Sequence, residues 1–159
     1  MMLRALLAIT FTVILSASHG AEFHVDPIHG DDGNDGSAGQ PWASLQALFD
    51  DGRVESREWN ALPRDETRVL VPRNPGAAVK AGDTIYLHEG DYGSLVISGY
   101  YNTGRIAIMA AEGEEARFKS IVLRGGGEWT FSGLTISPVF GTGERPARLP
   151  LGRVFRPGS

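Results

Sequence analysis

The sequence predicts an all-β fold, a solenoid in which short strands form parallel sheets, and two observations support this. The stretch 81–138 contains short apolar runs that are rich in β-branched residues and bounded by Gly, Asn or Asp, as strands typically are. These runs recur, since Ile106 follows Ile85 by 21 residues and Trp129 follows Ile106 by 23. Such a return, with a second strand inside each period, indicates stacked coils.

An antiparallel sandwich or small barrel is the alternative, because it also has short strands separated by turns. The segments 89–93 and 98–104 separate the predicted strands, and neither contains the Asn-Gly or Asp-Gly pair of a tight hairpin. We therefore interpret both segments as corner loops, and the stretch 81–138 as the coils of the solenoid.

Residues 1–20 have the three parts of a secretory signal peptide. A positive charge at Arg4 precedes the apolar run 5–15, and Ser18 and Gly20 are the small residues before a cleavage site at Ala21. The apolar run is shorter than the ~20 residues that span a bilayer. We therefore expect a secreted or periplasmic protein without a membrane span.

The composition argues against several kinds of binding partner and site. The formal net charge is −4, which argues against binding to nucleic acid or to an anionic membrane surface. The chain contains no cysteine, so disulfides and thiolate zinc sites are excluded. The 21 glycines are about twice the usual share, which suits a fold with many tight corners.

Residues 21–52 are predicted to form a first strand at 22–27, a loop rich in Asp and Gly, and a helix. In the loop, Asp31, Asp32 and Asp35 are candidate calcium ligands, because calcium prefers carboxylate oxygens. The spacing of an EF-hand fails, since Trp42 stands where the bidentate Glu is needed. The alternative is a turn in which Asp and Asn side chains accept hydrogen bonds from their own backbone.

The helix is predicted at 40–49. Pro41 suits a first helical turn, and four apolar residues share one face, namely Trp42, Leu45, Leu48 and Phe49. We expect this helix to cap the end of the solenoid, because a solenoid needs an apolar element across its open end.

Residues 53–80 are interpreted as a surface insertion that is rich in charge and proline, with a short helix at 56–62 that carries Trp59. The histidines are interpreted as surface or loop residues. His24 and His29 would face opposite sides of a strand, so they do not form a metal pair. His88 stands alone at the end of a predicted strand.

Several segments together resemble one family of secreted proteins. In chain order they are 23–27 (FHVDP), 30–37 (GDDGNDGS), 41–46 (PWASLQ), 79–87 (VKAGDTIYL), 90–92 (GDY) and 129–136 (WTFSGLTI). They are similar to the N-terminal part of right-handed parallel β-helix proteins of the pectate-lyase-like and alginate-lyase-like superfamily. The resemblance implies a right-handed parallel β-helix of about three coils over 81–138, with an N-terminal capping helix.

The resemblance also implies carbohydrate chemistry on an acidic polysaccharide. In such lyases a basic side chain removes the proton beside a uronate carboxylate, which calcium or arginine neutralises. The basic side chains on the predicted coils are Arg105, Arg117, Lys119 and Arg124. None of them matches a catalytic motif, so we expect a solvated outer face or protection of a sheet edge. We assign no catalytic or substrate-binding residue.

Residues 139–159 are irregular and rich in Arg and Pro. Because proline cannot donate to a sheet, no further coil is expected there. We therefore expect the chain to be the N-terminal part of a longer β-helix protein, truncated after about Pro138. Its open end would allow self-association through unpaired strand edges.

Three functional hypotheses follow. In the first, the chain is the N-terminal portion of a secreted carbohydrate-active protein, a β-elimination lyase in its complete form, and is itself inactive because its catalytic coils are missing. In the second, it is a non-catalytic polysaccharide-binding or surface module. In the third, it is a degraded gene product without a function of its own. The sequence alone leaves open whether the protein is an enzyme.

Overall fold

The computed structural model describes residues 20–62 and 66–138. In chain order these residues form β1 (Glu22–Val25), α1 (Leu45–Asp50), β2 (Ser56–Trp59), β3 (Leu70–Arg73), β4 (Thr84–Leu87), β5 (Gly90–Asp91), β6 (Ser94–Ala110), β7 (Ala116–Phe118), β8 (Ser120–Ser132) and β9 (Leu134–Ile136). The predicted signal peptide, apart from Gly20, and the predicted tail at 139–159 lie outside the described residues.

The longer strands form a four-stranded sheet with the order β1-β4-β6-β8, and all its pairs are parallel. One row of register partners crosses the whole sheet: Phe23, Ile85, Ile108 and Phe131. The short strands form a three-stranded parallel sheet with the order β5-β7-β9. Parallel neighbours need crossover connections, so the chain passes repeatedly between the two sheets.

The predicted right-handed parallel β-helix is wrong as a description of this fold. The described residues form sheets of both kinds, because β2 and β3 form a separate antiparallel pair beside the two parallel sheets. The prediction also placed a corner loop at 98–104, whereas β6 continues through this segment with a register shift between Tyr101 and Ile106. Gly99, with a φ of 73°, bends the strand without ending it.

The interior lies against one face of the four-stranded sheet. Successive side chains of a strand face opposite sides, and the alternate residues that face inward on β4 and β6 are fully buried, namely Ile85, Leu87, Ile106 and Ile108. Phe118 of β7 reaches the same interior. Burying one such side chain contributes roughly 1.5–3 kcal/mol.

Helix α1 covers part of this interior. Three of the residues that the sequence assigned to its apolar face lie in the helix and are buried, which confirms their assignment: Leu45, Leu48 and Phe49. Trp42 is also buried. The start of the helix was predicted wrongly. Ser44 is the N-cap, and its hydroxyl accepts a hydrogen bond from the backbone N–H of Ala47. Pro41 and Trp42 therefore precede the helix.

A glutamine on α1 contacts the edge of β6. The side chain of Gln46 accepts a hydrogen bond from the N–H of Val96 (2.8 Å) and donates to the carbonyl of Val96 (3.3 Å). One amide side chain thus satisfies both backbone groups of a residue that would otherwise pair with another strand.

The helix predicted at 56–62 is also wrong, because β2 is a strand. It pairs antiparallel with β3, from Ser56 opposite Arg73 to Trp59 opposite Leu70. A buried hydrogen bond from the Ser56 hydroxyl to Asn102 Oδ1 (2.7 Å) fastens this pair to β6. Tertiary pairing has overridden the local propensity, and it places Trp59 beside the long strands.

Candidate functional site

Two of the candidate calcium ligands accept hydrogen bonds from their own loop. Asp31 Oδ1 accepts from the N–H of Gly33 (2.7 Å), and Asp35 Oδ1 accepts from the N–H of Ser37 (2.9 Å). These are the bonds that the turn interpretation predicts. The Ser37 N–H also lowers the pKa of the Asp35 carboxyl.

The third candidate, Asp32, has a different partner. Its Oδ1 accepts from the N–H groups of Ala43 (3.0 Å) and Ser44 (2.9 Å), next to the start of α1. In residues 20–62 and 66–138, no group of three or more His, Cys, Asp or Glu side chains is placed to hold a metal ion. The structure does not assemble Asp31, Asp32 and Asp35 into such a group, and calcium binding stays a prediction.

A cleft of about 350 Å³ opens where the β2–β3 pair meets β6 and β8, and we call it the aromatic cleft. Its lining comes from β2 and the turn after it, from β6 and from β8: Trp59, Leu62, Ser98, Gly99, Tyr101, Arg124 and Gly125. The cleft thus depends on the antiparallel pair that the sequence did not predict.

Trp59 and Tyr101 provide the aromatic surface of this cleft. Their ring centroids are 5.9 Å apart with an interplanar angle of 77°, which is a favourable edge-to-face geometry. Leu62 extends the apolar surface and is largely exposed. Gly125 is required here, because its φ is 72° and a Cβ would lie 2.7 Å from the Tyr101 hydroxyl oxygen.

Two arginines near the cleft differ in their partners. The Arg73 guanidinium donates to the carbonyls of Ser98 (3.0 Å) and Gly99 (3.3 Å) and lies 3.9 Å from the centroid of the Tyr100 ring. It therefore supports the wall of the cleft. The Arg124 guanidinium is exposed and makes no hydrogen bond or ion pair with any described residue. Among the described residues, Arg124 therefore offers an unpaired cation at the aromatic surface.

A second cluster, which we call the imidazole chain, consists of His24, His88 and Glu114. The register pairs His24 of β1 with Tyr86 of β4, so His88 lies diagonally across from His24. His24 Nδ1 and His88 Nε2 are 3.1 Å apart. His88 Nδ1 lies 3.0 and 3.1 Å from the two carboxylate oxygens of Glu114, in the β6–β7 connection. The prediction that His88 stands alone is therefore wrong.

The surroundings lower the pKa values of two members of the imidazole chain, His24 and Glu114. Burial, and then the like charge of His88, lower the pKa of His24. The backbone N–H of Glu89, which donates to Glu114 at 2.6 Å, and then the imidazole of His88 lower the pKa of Glu114. At neutral pH the His24 ring is therefore uncharged and the Glu114 carboxyl is ionised.

An open cleft of about 290 Å³ adjoins the imidazole chain, and three of the residues that line it are carboxylates: Asp26, Glu89 and Glu114. Although burial alone would raise it, hydrogen bonds from the backbone of His29 and Ile28 and from the His29 ring lower the pKa of Asp26. This lining repels anions. Of the two clefts, only the aromatic cleft suits an acidic polysaccharide.

Neither cluster could be recognised from the sequence. Trp59 was expected on a helix, and its contact with Tyr101 depends on the β2–β3 pairing. His24 and His88 meet only because β1 pairs with β4 across a long insertion. The contact between the two histidines could be predicted only from the register of that pairing.

Comparisons of this chain with protein-family models, with curated proteins and with solved structures found no match. The resemblance to polysaccharide lyases and the secreted or periplasmic location stay predictions. In the two described ranges of the chain, no helix has the length and apolar character needed to cross a bilayer.

Proposed function

We propose that this protein binds an acidic polysaccharide in the aromatic cleft, as a non-catalytic carbohydrate-binding module. The observation that carries the proposal is the exposed Arg124 guanidinium, without a partner among the described residues, in the same cleft as Trp59 and Tyr101. This combination supplies an apolar surface and a site for one negative charge.

A uronate unit is complementary to both features. Its pyranose ring carries C–H groups that pack on aromatic side chains, and mostly apolar clefts with a few polar groups are typical ligand sites. Its carboxylate accepts two parallel hydrogen bonds from one guanidinium. Trp59 and Tyr101 take the sugar ring in this proposal, and Arg124 takes the carboxylate. The net charge of −4 gives no general attraction to polyanions, so affinity must arise in the cleft.

The lyase activity implied by the sequence resemblance needs a base beside the proton that leaves. A guanidinium is a permanent cation and a poor proton acceptor. We therefore assign Arg124 to binding. The same experiment tests for elimination, since a lyase would leave unsaturated, ultraviolet-absorbing chain ends.

Isothermal titration calorimetry of the full chain with an oligogalacturonate and with its methyl ester tests this proposal. We expect the acid to bind at least about tenfold more tightly, because a hydrogen bond to a charged group contributes roughly 1.5–3 kcal/mol. Arg124→Gln should abolish this preference and leave ester binding unchanged. Trp59→Ala should weaken both ligands by roughly five- to tenfold, because it removes the aromatic contact.

The matched control is Arg105→Gln, which removes an exposed arginine outside the aromatic cleft. This variant should bind both ligands as the wild type does. Equal affinity of the wild type for acid and ester, or an unchanged preference in Arg124→Gln, would overturn the proposal. Absorbing product released by the wild type would show that the module is catalytic.

A further inference from the structure

We propose that the imidazole chain is a latch that acid opens. When both imidazole rings are neutral, or when only one of them is protonated, the contact between His24 and His88 holds β1 against the β4–β5 connection. Glu114, in the β6–β7 connection, holds His88 in place. With both rings charged, the contact between the histidines is lost. This inference goes beyond the proposed function and does not depend on it.

The hydrogen bonds determine the tautomer of each ring. The Glu114 carboxylate only accepts hydrogen bonds, so His88 donates to it from Nδ1. The Nε2 atom of neutral His88 is then an acceptor, and His24 must donate to it from Nδ1. Both neutral rings therefore carry the proton on Nδ1, which leaves Nε2 of His24 unprotonated.

One added proton preserves the bond, and a second proton breaks it. The first proton binds Nε2 of His24, or binds His88 while His24 changes tautomer, and one acceptor remains between the rings in either case. When both rings are charged, two N–H groups face each other where the nitrogens were 3.1 Å apart. Without an acceptor, and with two like charges, the contact is repulsive.

The polar groups around the pair come from every neighbouring element: Glu22, Asp26, His29, Tyr86, Glu89, Tyr92 and Glu114. Their carboxylates favour the first proton, but Glu114 is already bonded to Nδ1 of His88 and cannot separate the two rings. Burial raises the pKa of Tyr92, and the pKa of Glu114 is lowered. The ordinary pKa of an imidazole lies between about pH 7.5 and about pH 5, which is the range that the test covers.

Release of the latch reaches the backbone on both sides. Glu114 also accepts from the N–H of Glu89 at 2.6 Å. The Tyr92 hydroxyl lies 2.9 Å from the carbonyl of Val25 and 2.8 Å from that of His88. These contacts join the end of β1 to residues 88–92, so loss of the His24–His88 bond should loosen both segments together.

Long-range ¹⁵N–¹H NMR of the histidine rings in the full chain tests the wild type directly. At about pH 7.5 we expect His24 and His88 both in the Nδ1–H form. We expect their titrations to be coupled, so that neither follows a single independent curve. A ring with its proton on Nε2, or two independent titrations, would overturn the proposal.

Hydrogen exchange measured by mass spectrometry tests the release itself. After correction for the intrinsic exchange rate, protection at 22–26 and 88–92 should fall between about pH 7.5 and about pH 5, by up to about tenfold per pH unit. His24→Asn should remove this fall, because its amide can donate where Nδ1 donated but does not titrate. His29→Asn changes an exposed histidine that is not part of the imidazole chain, and this variant should behave as the wild type.

Two results of the exchange experiment would contradict the latch. One is protection in the wild type that does not change with pH in these segments. The other is an equal fall in the wild type and in His24→Asn. If His24→Asn fails to fold, the tautomers and coupled titration of the wild type still decide, because that measurement needs only the native protein.

Discussion

Ile97 and Leu123 are register partners on the neighbouring parallel strands β6 and β8, yet their surroundings differ. Parallel partners point to the same face of a sheet, but Ile97 is 1% exposed and Leu123 is 48% exposed. The next segment repeats the difference, since Ile106 is fully buried and its partner Trp129 is only partly buried. Facing inward is therefore not sufficient for burial in this fold.

The difference follows from the neighbours of each strand. Near Ile97, β6 has β8 on one side and α1 on the other, where Gln46 bonds to the backbone of Val96. β8 has β6 on one side and is the last strand of its sheet within the described residues. An inward side chain becomes buried when elements on both sides cover it, because close packing needs neighbours in every direction.

Matched truncations of the two partners should give the largest effect. Ile97→Ala should lower the free energy of unfolding by roughly 2–5 kcal/mol, because it leaves a cavity in a covered region. Leu123→Ala should cost less than about 1 kcal/mol, because half of its side chain already contacts solvent. Urea unfolding measures both values. Equal losses would mean that Leu123 is covered in solution, which would break the comparison.

The sequence predicted which residues face inward better than it predicted how the strands are divided. The helical spacing of Leu45, Leu48 and Phe49 indicated their burial correctly, because that pattern is local. Trp42 is also buried, although it precedes the helix. Glycines at 99 and 104 were interpreted as loop signals, whereas β6 runs past them because β8 pairs alongside. Pairing partners are far apart in sequence, and one chain without its register does not reveal them.

Removal of the Gln46 side-chain amide, which contacts β6, should have an intermediate effect on the free energy of unfolding. Gln46→Ala deletes both hydrogen bonds to Val96 and should cost about 1 kcal/mol, since exposed bonds are weak and alanine favours the helix. Gln40→Ala, at the other glutamine of the chain, should be neutral because its side chain is exposed. Urea midpoints compare the two. A neutral Gln46→Ala would show that α1 covers β6 by apolar contact alone.

The candidate sites were less predictable than the core. Arg124 was expected on a solvated face and is exposed, but its neighbours Trp59 and Tyr101 come from two other strands. Asp31 and Asp35 were visible in sequence because their hydrogen bonds lie within one loop. Residues joined through the sheet register, such as His24 and His88, were not visible as a pair.

The smallest effect is expected where register partners are charged and at least partly solvated. Asp91 of β5 and Arg117 of β7 are such partners, and Arg117 Nε donates to Asp91 Oδ1 at 2.7 Å. The hydrogen bond to Asp91 raises the pKa of Arg117, but both groups are solvated, so Arg117→Gln should cost only about 0.2–1 kcal/mol. A double-mutant cycle with Asp91→Asn, measured by urea unfolding at low and high salt, isolates the pair. The coupling should shrink as salt is added, since exposed charges are screened. A coupling that is independent of salt and as large as the loss in Ile97→Ala would show that a partly solvated ion pair between register partners can match a buried apolar contact.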